Sequence, residues 1–597
     1  MEVNYKKNKN GELFNELSHE KLLNIDNLQN YIPIYSKFFN LNEKNHNSIN
    51  LNNDYKLNSI VEKIGYSKFN GTIINDNDDI ISKKIFFKYG PLLDPIKYMI
   101  GKYDNSNNIF ELPKINSNDS VNKKILDVNN SAYTDGFFSY LSSLLLNKYN
   151  FLNGIDYYGS FLGIKNDFIV DIEDDLEYLD DSDFFHKNNN ILFNILETEN
   201  FKNYFSNTKK CKQALVVHDI NIPDEDIKIY NLNEININNE NNENNENNEN
   251  NENNENNENN INNNINNENE NEINLNKDLE VEYTKELTEN NINKKKAKTN
   301  QQNESEASCS SRYSNTNTNS SNGDNSDEED NDSSESGSES SLVEEDLHAK
   351  ILKFPVQTIA LECCDDTLDA YVINNKIKDN EWESIISQII FSLITYQKVF
   401  DFTHNDLHTN NIVYNNTDKK FLYYMYNNKH YKIPTYGKIY KLIDFGRAIY
   451  KFKGNIICSD SYASDGDAHT QYNTEPYINK DKPILEPNKS FDLSRLGCSL
   501  FDYFIEDIDD IEKIKSPIKK IIIEWVFDDK NKNILYKNNG CERYPDFKLY
   551  KMIARTVHNH MPDNVIKKPL FDKYIISKKK IKNQSVIFNI DTLPDMT

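Results

Sequence analysis

Apolar and polar residues alternate over short runs in the first part of the chain, at residues 59–64, 71–74, 80–88, 154–164 and 167–171. Alternation of this period, rich in Ile, Phe and Tyr, predicts β-strands that bury one face. Residues 132–148 break the pattern and predict a helix. Residues 355–363 read as a further strand. Trp382, Ile385, Ile386, Ile390, Leu393 and Ile394 then recur at helical spacing. They predict an amphipathic helix of about 18 residues. The remaining C-terminal part is mostly helical in pattern. Strands first and helices later predict an α+β fold in which a small β-rich lobe joins a helical lobe.

Between the two halves the pattern disappears. Residues 236–346 begin with repeated Asn-Asn-Glu triplets, pass through Lys294, Lys295 and Lys296, and end in a Ser, Asp and Glu-rich run. Such a segment cannot bury enough apolar surface to offset its chain entropy, so it is expected to be a disordered insertion. A solvated spacer is its plainest role. A phosphorylated or partner-docking segment is the sharper alternative. The expected organisation is an N-terminal extension at 1–50, a β-rich region at 51–235, the insertion at 236–346 and a helical region at 347–597.

Composition changes this picture in two ways. The formal net charge is −27, with 37% hydrophobic residues. About 29 Asp and Glu against about 7 Lys and Arg fall between Leu232 and Leu347, so most of the charge sits in the insertion. The rest of the chain is close to balanced. No basic footprint suggests nucleic acid as a partner. The seven Cys are scattered without a CxxC pair and read as reduced thiols. No leader of signal-peptide type and no membrane-spanning run is expected. An intracellular location follows as the expectation.

Candidate chemistry is concentrated in Phe402 to Tyr414, FTHNDLHTNNIVY, and in Tyr436 to Ala448, YGKIYKLIDFGRA. Asp406 can orient and deprotonate an attacking hydroxyl, and Asn411 can offer an oxygen to Mg²⁺. An alternating strand ends in Asp444-Phe445-Gly446, where a carboxylate can reach a metal that bridges phosphates.

These segments resemble the protein-kinase superfamily. HNDLHTNN (404–411) looks like the catalytic loop H-R-D-L-x-x-x-N, and Asp444 to Gly446 looks like DFG. FDLSRLGCSL (491–500) is similar to the segment that supports the catalytic loop. The resemblance implies ATP and Mg²⁺ as cofactors and Ser/Thr of protein substrates as acceptors. It makes Asp406 the base and Asn411 and Asp444 the metal ligands. Phe445 becomes a packing aromatic, Asp492 a brace for the catalytic-loop backbone, and His404 a brace for Asp444 and Phe445.

The same resemblance makes Lys88, in Ile85-Phe86-Phe87-Lys88, the lysine that grips ATP, with Lys84 as the alternative. Phe86 is bulkier than the residue usual there. Asp135 is the candidate partner of the lysine. Gly65 belongs to a reduced glycine loop at 64–71. Glu362 and Cys364 fall where the backbone would bind adenine, and His408 stands where the family carries a phosphate-binding Lys. Asn405 replaces an Arg that in many kinases grips a phosphorylated segment, so activity is expected without such a phosphate. No A-P-E motif precedes Asp492. Together these features look most like divergent kinase-like proteins of giant DNA viruses, which adds the virion to the expected locations. A pseudokinase scaffold and a small-molecule phosphotransferase are the alternative readings.

Overall fold

In the computed structural model of the chain, the strands of the first half and one from the second form a single antiparallel sheet. They are β1 (Ile25–Gln29), β2 (Tyr55–Lys63), β3 (Lys68–Asn75), β4 (Ile80–Pro91), β5 (Tyr157–Asp171) and β6 (His348–Glu362). Their order is β1-β5-β6-β4-β3-β2, and Phe193–Ile195 adds a short strand beside β6. The structure describes residues 2–103, 107–116, 121–196, 347–581 and 585–597. These belong to one body, Met1–Lys212 with Ser305–Thr597. The acidic tract lies outside the described residues, as does the second unit, Gln213–Glu304.

Helix α1 (Ser131–Tyr149) packs on this sheet. Asn130 caps its start by accepting from Ala132 N–H at 3.0 Å, and Asn150 ends it in the left-handed region at φ 60°. It is buried on nearly every side, so its helical pattern carries little amphipathic contrast. A Cβ at Gly136 would stand 2.1 Å from Nε2 of Gln357 on β6, so a larger residue there would require that side chain to move.

The second half is built around helix α2 (Asp379–Phe400), longer than the periodicity predicts because polar Asp379 to Glu381 add its first turn. After it come β7 (Ile412–Asn416), β8 (Phe421–Tyr426), β9 (Lys429–Pro434) and β10 (Lys438–Leu442). Then come α3 (Phe491–Phe501) and α4 (Lys548–Thr556). Between Asn411 and Asp444 the sequence at 418–440 reads as an enlarged hairpin, and there FLYYMY pairs with KHYKIP across turn residues Asn427 and Asn428, both at positive φ, 50° and 58°. Asn tolerates that geometry better than most residues.

Within residues 1–50, Ile25–Gln29 forms the edge strand of the main sheet, with Leu17, Leu23 and Ile25 buried. Ile575–Ile576 and Phe588–Asn589 flank the β8–β9 hairpin in a four-stranded sheet.

An aromatic cluster joins the two halves. Phe138 of α1 lies 4.4 Å from Phe402, 4.6 Å from Phe445 and 5.1 Å from Tyr396 of α2, ring centre to ring centre. The fold is mixed α and β with antiparallel sheets, as the α+β expectation had it.

Candidate active site

Alternation along β4 sends Phe87 into the core and Phe86 and Lys88 into a cleft of about 840 Å³. Phe86, Leu361, Val413 and Ile155 give the cleft an apolar lining. Lys84, the alternative lysine, is exposed and lies off the lining.

Lys88 Nζ stands 2.7 Å from Asp135 Oδ2 and 2.8 Å from Asp444 Oδ1. Asp135 is shorter in reach than a Glu, yet α1 packs on the sheet closely enough for its carboxylate to meet the lysine. The other oxygen of Asp135 accepts from Phe445 N–H at 2.9 Å. One carboxylate thus holds both the lysine and the backbone after Asp444. Asp444 itself takes the left-handed region at φ 64°, which turns its side chain back toward Lys88.

Burial alone would lower the Lys88 ammonium, but Asp135 and Asp444 outweigh it and hold its pKa above the ordinary lysine value. Burial, with the nearby Asp444, pushes the Asp135 carboxyl up while Lys88 pulls it down. Two carboxylates facing one ammonium leave a local excess of negative charge.

Residues 404–411, the candidate catalytic loop, run directly into β7. β7 and β10 pair with Ile412 opposite Leu442, and Ile443 N–H donates to Asn411 O at 3.0 Å. That register brings Asn411 and Asp444 to the same end of the two strands. Asp492 of α3, fully buried, accepts from His404 N–H and Asn405 N–H at 2.9–3.1 Å. Burial pushes its carboxyl up, against these bonds and the pull of His404. His404 Nε2 bonds Ile443 O at 2.9 Å, and its ring centre is 5.6 Å from that of Phe445.

Asn405, at φ 64°, uses its amide to donate to Arg447 O at 3.1 Å and to accept from Tyr472 Oη at 2.8 Å. Neutral bonds therefore tie residues 404–411 to the segment after Asp444.

Asn411 donates from Nδ2 to Asp406 O at 2.8 Å and to His408 Nε2 at 3.0 Å, which puts the His408 proton on Nδ1. Burial lowers the His408 pKa to about 4, so the ring is neutral near pH 7. Asn411 Oδ1 is buried without a hydrogen-bond partner.

Asp406 is 1% exposed. Its Oδ1 accepts from Tyr550 Oη of α4 at 2.7 Å, and Arg495 Nε of α3 donates to that same hydroxyl at 3.0 Å. Its Oδ2 has no hydrogen-bond partner, and Arg447 Nε stands 3.9 Å away. Arg447 pairs in turn with Asp467.

The residues singled out from sequence fall into three places. Lys88, Glu362, Cys364 and Asp444 line the cleft. Asp406, His408 and Asn411 form the buried group beneath it. Gly65 stands apart, in the turn between β2 and β3, where its N–H donates to Lys68 O at 3.0 Å; Lys68 lines the cleft and Gly65 does not. The Glu362 carboxylate is engaged by Lys441, by Asn415 Nδ2 at 2.6 Å and by Asp156 N–H at 2.8 Å. The backbone here is engaged in part as well: Glu362 N–H donates to Asp156 O at 3.0 Å, Cys363 N–H to Lys84 O at 3.4 Å and Asp365 N–H to Tyr414 O at 3.0 Å. Sequence reasoning misses Tyr550, Arg495, Arg447 and Lys68: Tyr550 lies outside every motif, the other three fall at motif positions given no role, and the Tyr550–Asp406 pair is distant in the chain.

A scan against protein-family models finds no match for this chain, and a search of curated proteins finds none either.

Proposed function

We propose that the chain is an ATP- and Mg²⁺-dependent protein kinase of two-lobed, kinase-like architecture that transfers the γ-phosphate of ATP to Ser or Thr of protein substrates. One observation carries this reading: Lys88, Asp135 and Asp444, remote in sequence, meet within 2.8 Å in a cleft. The main sheet with α1 forms the first lobe, and the elements from α2 onward form the second.

The donor set fits Mg²⁺. Asn411 Oδ1 is a buried oxygen with no other partner, and Asp444 adds a carboxylate where negative charge is in excess. No group of three or more His, Cys, Asp or Glu that could hold a metal occurs among the described residues. Few protein ligands, completed by phosphate oxygens and water, is the habit of Mg²⁺. When bound, the ion supplies charge neutralisation at the phosphate oxygens. Lys88 donates to a phosphate oxygen and keeps its charge through Asp135. The apolar lining holds the base, and the backbone around Cys364 offers it hydrogen bonds. Asp406 receives the proton of the acceptor hydroxyl at its unpartnered Oδ2. Neutral His408 contributes a hydrogen bond from Nδ1 rather than a charge.

A second reading is favoured by the burial of Asp406 and by Lys68 and Phe86 lining the cleft where glycine backbone would wrap phosphates. It is a scaffold that binds nucleotide without turnover. The discriminating experiment is transfer from labelled ATP with Mg²⁺ to the protein itself and to basic and acidic protein substrates, comparing wild type with Asp406→Ala. Label from wild type alone supports the kinase. No label from either, with nucleotide still bound, supports the scaffold.

A further inference from the structure

The segment that follows Asp444 grips α1 at three points. Phe445 N–H donates to Asp135 Oδ1 at 2.9 Å. Tyr450 Oη donates to Thr134 O at 3.0 Å. Asp460 Oδ1 accepts from Ser131 N–H, the first residue of the helix, at 2.9 Å. The other Asp460 oxygen pairs with Lys124, and its own N–H donates to Asn129 O at 2.8 Å. Asp460 is only 4% exposed. A carboxylate at a helix N-terminus meets free N–H groups and the positive end of the helix dipole. Ser131 and Asp135 lie four residues apart, on one face of the helix. Whatever anchors Ser131 therefore also sets where the Asp135 carboxylate points.

A phosphate added to such a segment would act by bringing negative charge to this place. Here the charge is part of the sequence. Two hydroxyls beside it are buried and engaged: Ser459 Oγ accepts from Ser461 N–H at 3.2 Å, and Tyr462 Oη donates to Arg447 O at 2.9 Å.

We propose that Asp460 is a positioning residue that keeps Lys88, Asp135 and Asp444 assembled without phosphorylation of the segment from Arg447 to Ser490. This rests on the kinase reading for its catalytic consequence, though not for its structural one.

The test uses the full chain. Transfer kinetics are measured for wild type, Asp460→Ala, Asp135→Asn and the double variant, and for wild type pretreated with phosphatase. Asp460→Ala is expected to lower kcat at least roughly tenfold with the acceptor KM unchanged, and the double variant to be no slower than Asp135→Asn within about twofold, since both act on one contact. Phosphatase-treated wild type is expected to keep at least about half its rate. Additive losses, an Asp460→Ala rate within about twofold of wild type, or inactivation by phosphatase would each overturn the proposal. If Asp460→Ala does not fold, Asp460→Asn replaces it. That variant keeps an acceptor for Ser131 and loses the charge facing Lys124, so a loss of at least about threefold is expected. Hydrogen exchange at residues 131–135, without nucleotide, separates the two readings. Exchange at least roughly tenfold faster in the variant supports Asp460 as the anchor even where wild type transfers no phosphate, an outcome that counts against the kinase reading alone. Unchanged exchange overturns the anchor.

Discussion

Asp444 and Asp406 are the two carboxylates on which the proposed chemistry depends, and their surroundings differ in kind. Asp444 lines a cleft and faces a lysine that a phosphate could also engage. Asp406 lies off that cleft, with Tyr550 on one oxygen and Arg447 near the other. The nucleotide half is open and charged, and the acceptor half is closed over by residues from elsewhere in the chain. The contrast teaches that two parts of one reaction can differ in readiness. A metal and phosphates could enter from the cleft that Asp444 lines, whereas an acceptor hydroxyl must displace an internal one.

The sharpest break of this comparison is Asp444→Ala. Transfer is expected to fall by at least roughly 10²–10³-fold, the scale of losing one preorganised charge contact. The fold is expected to survive, because Lys88 keeps Asp135 as a partner and is not left as a buried unpaired charge. Label transfer beside a thermal melt checks both, and turnover in a cleanly folded variant would sink the metal assignment.

Tyr550→Phe probes the closed half. Removing one hydrogen bond of about 1 kcal/mol from the covered state should raise kcat/KM for the acceptor by roughly fivefold. A fall instead would mean that the hydroxyl orients Asp406 rather than blocking it, and the closed-half account would go.

His408 predicts a pH dependence of stability. Its folded pKa, about 4, lies below the ordinary value of 6.5, so the native state resists a proton that the unfolded chain accepts. The contribution is fully present above about pH 6.5 and is lost as pH falls toward 4, by up to about 3 kcal/mol. Urea midpoints between pH 7.5 and 5 should fall less steeply in His408→Gln than in wild type. Equal slopes would show that other groups carry the change.

The smallest effect is expected from deleting residues 236–340. The composition of that tract offers little to bury, so transfer rate and thermal midpoint should both stay close to those of the intact chain. A collapse of the midpoint would show that the tract is more than a spacer.

Several parts of this arrangement are legible in the sequence alone. The runs at 80–88 and 355–363 become neighbouring strands, with Phe86 opposite Leu361. The stretch at 132–148 becomes α1, and Asp492 meets the backbone of His404 and Asn405. These rest on local periodicity or on short motifs whose residues act together. Gly65 is less legible, because residues 64–71 resemble a loop while Lys68 to Gly71 pair along β3 instead. Once strand register extends into a turn, the residues that face the cleft change.

By itself the sequence determined the strand and helix segments, the concentration of acidic charge in one tract and the presence of Lys88, Asp406, Asn411 and Asp444 as chemistry-bearing groups. The tertiary structure alone decided which lysine reaches which carboxylate, that α1 packs where Asp135 can close that distance, and that Tyr550 and Arg447 surround Asp406. The physical reason is range. Side-chain periodicity and backbone preference act over a few residues, while a hydrogen bond such as Tyr550 to Asp406 depends on how independently formed elements pack, and no local pattern encodes that.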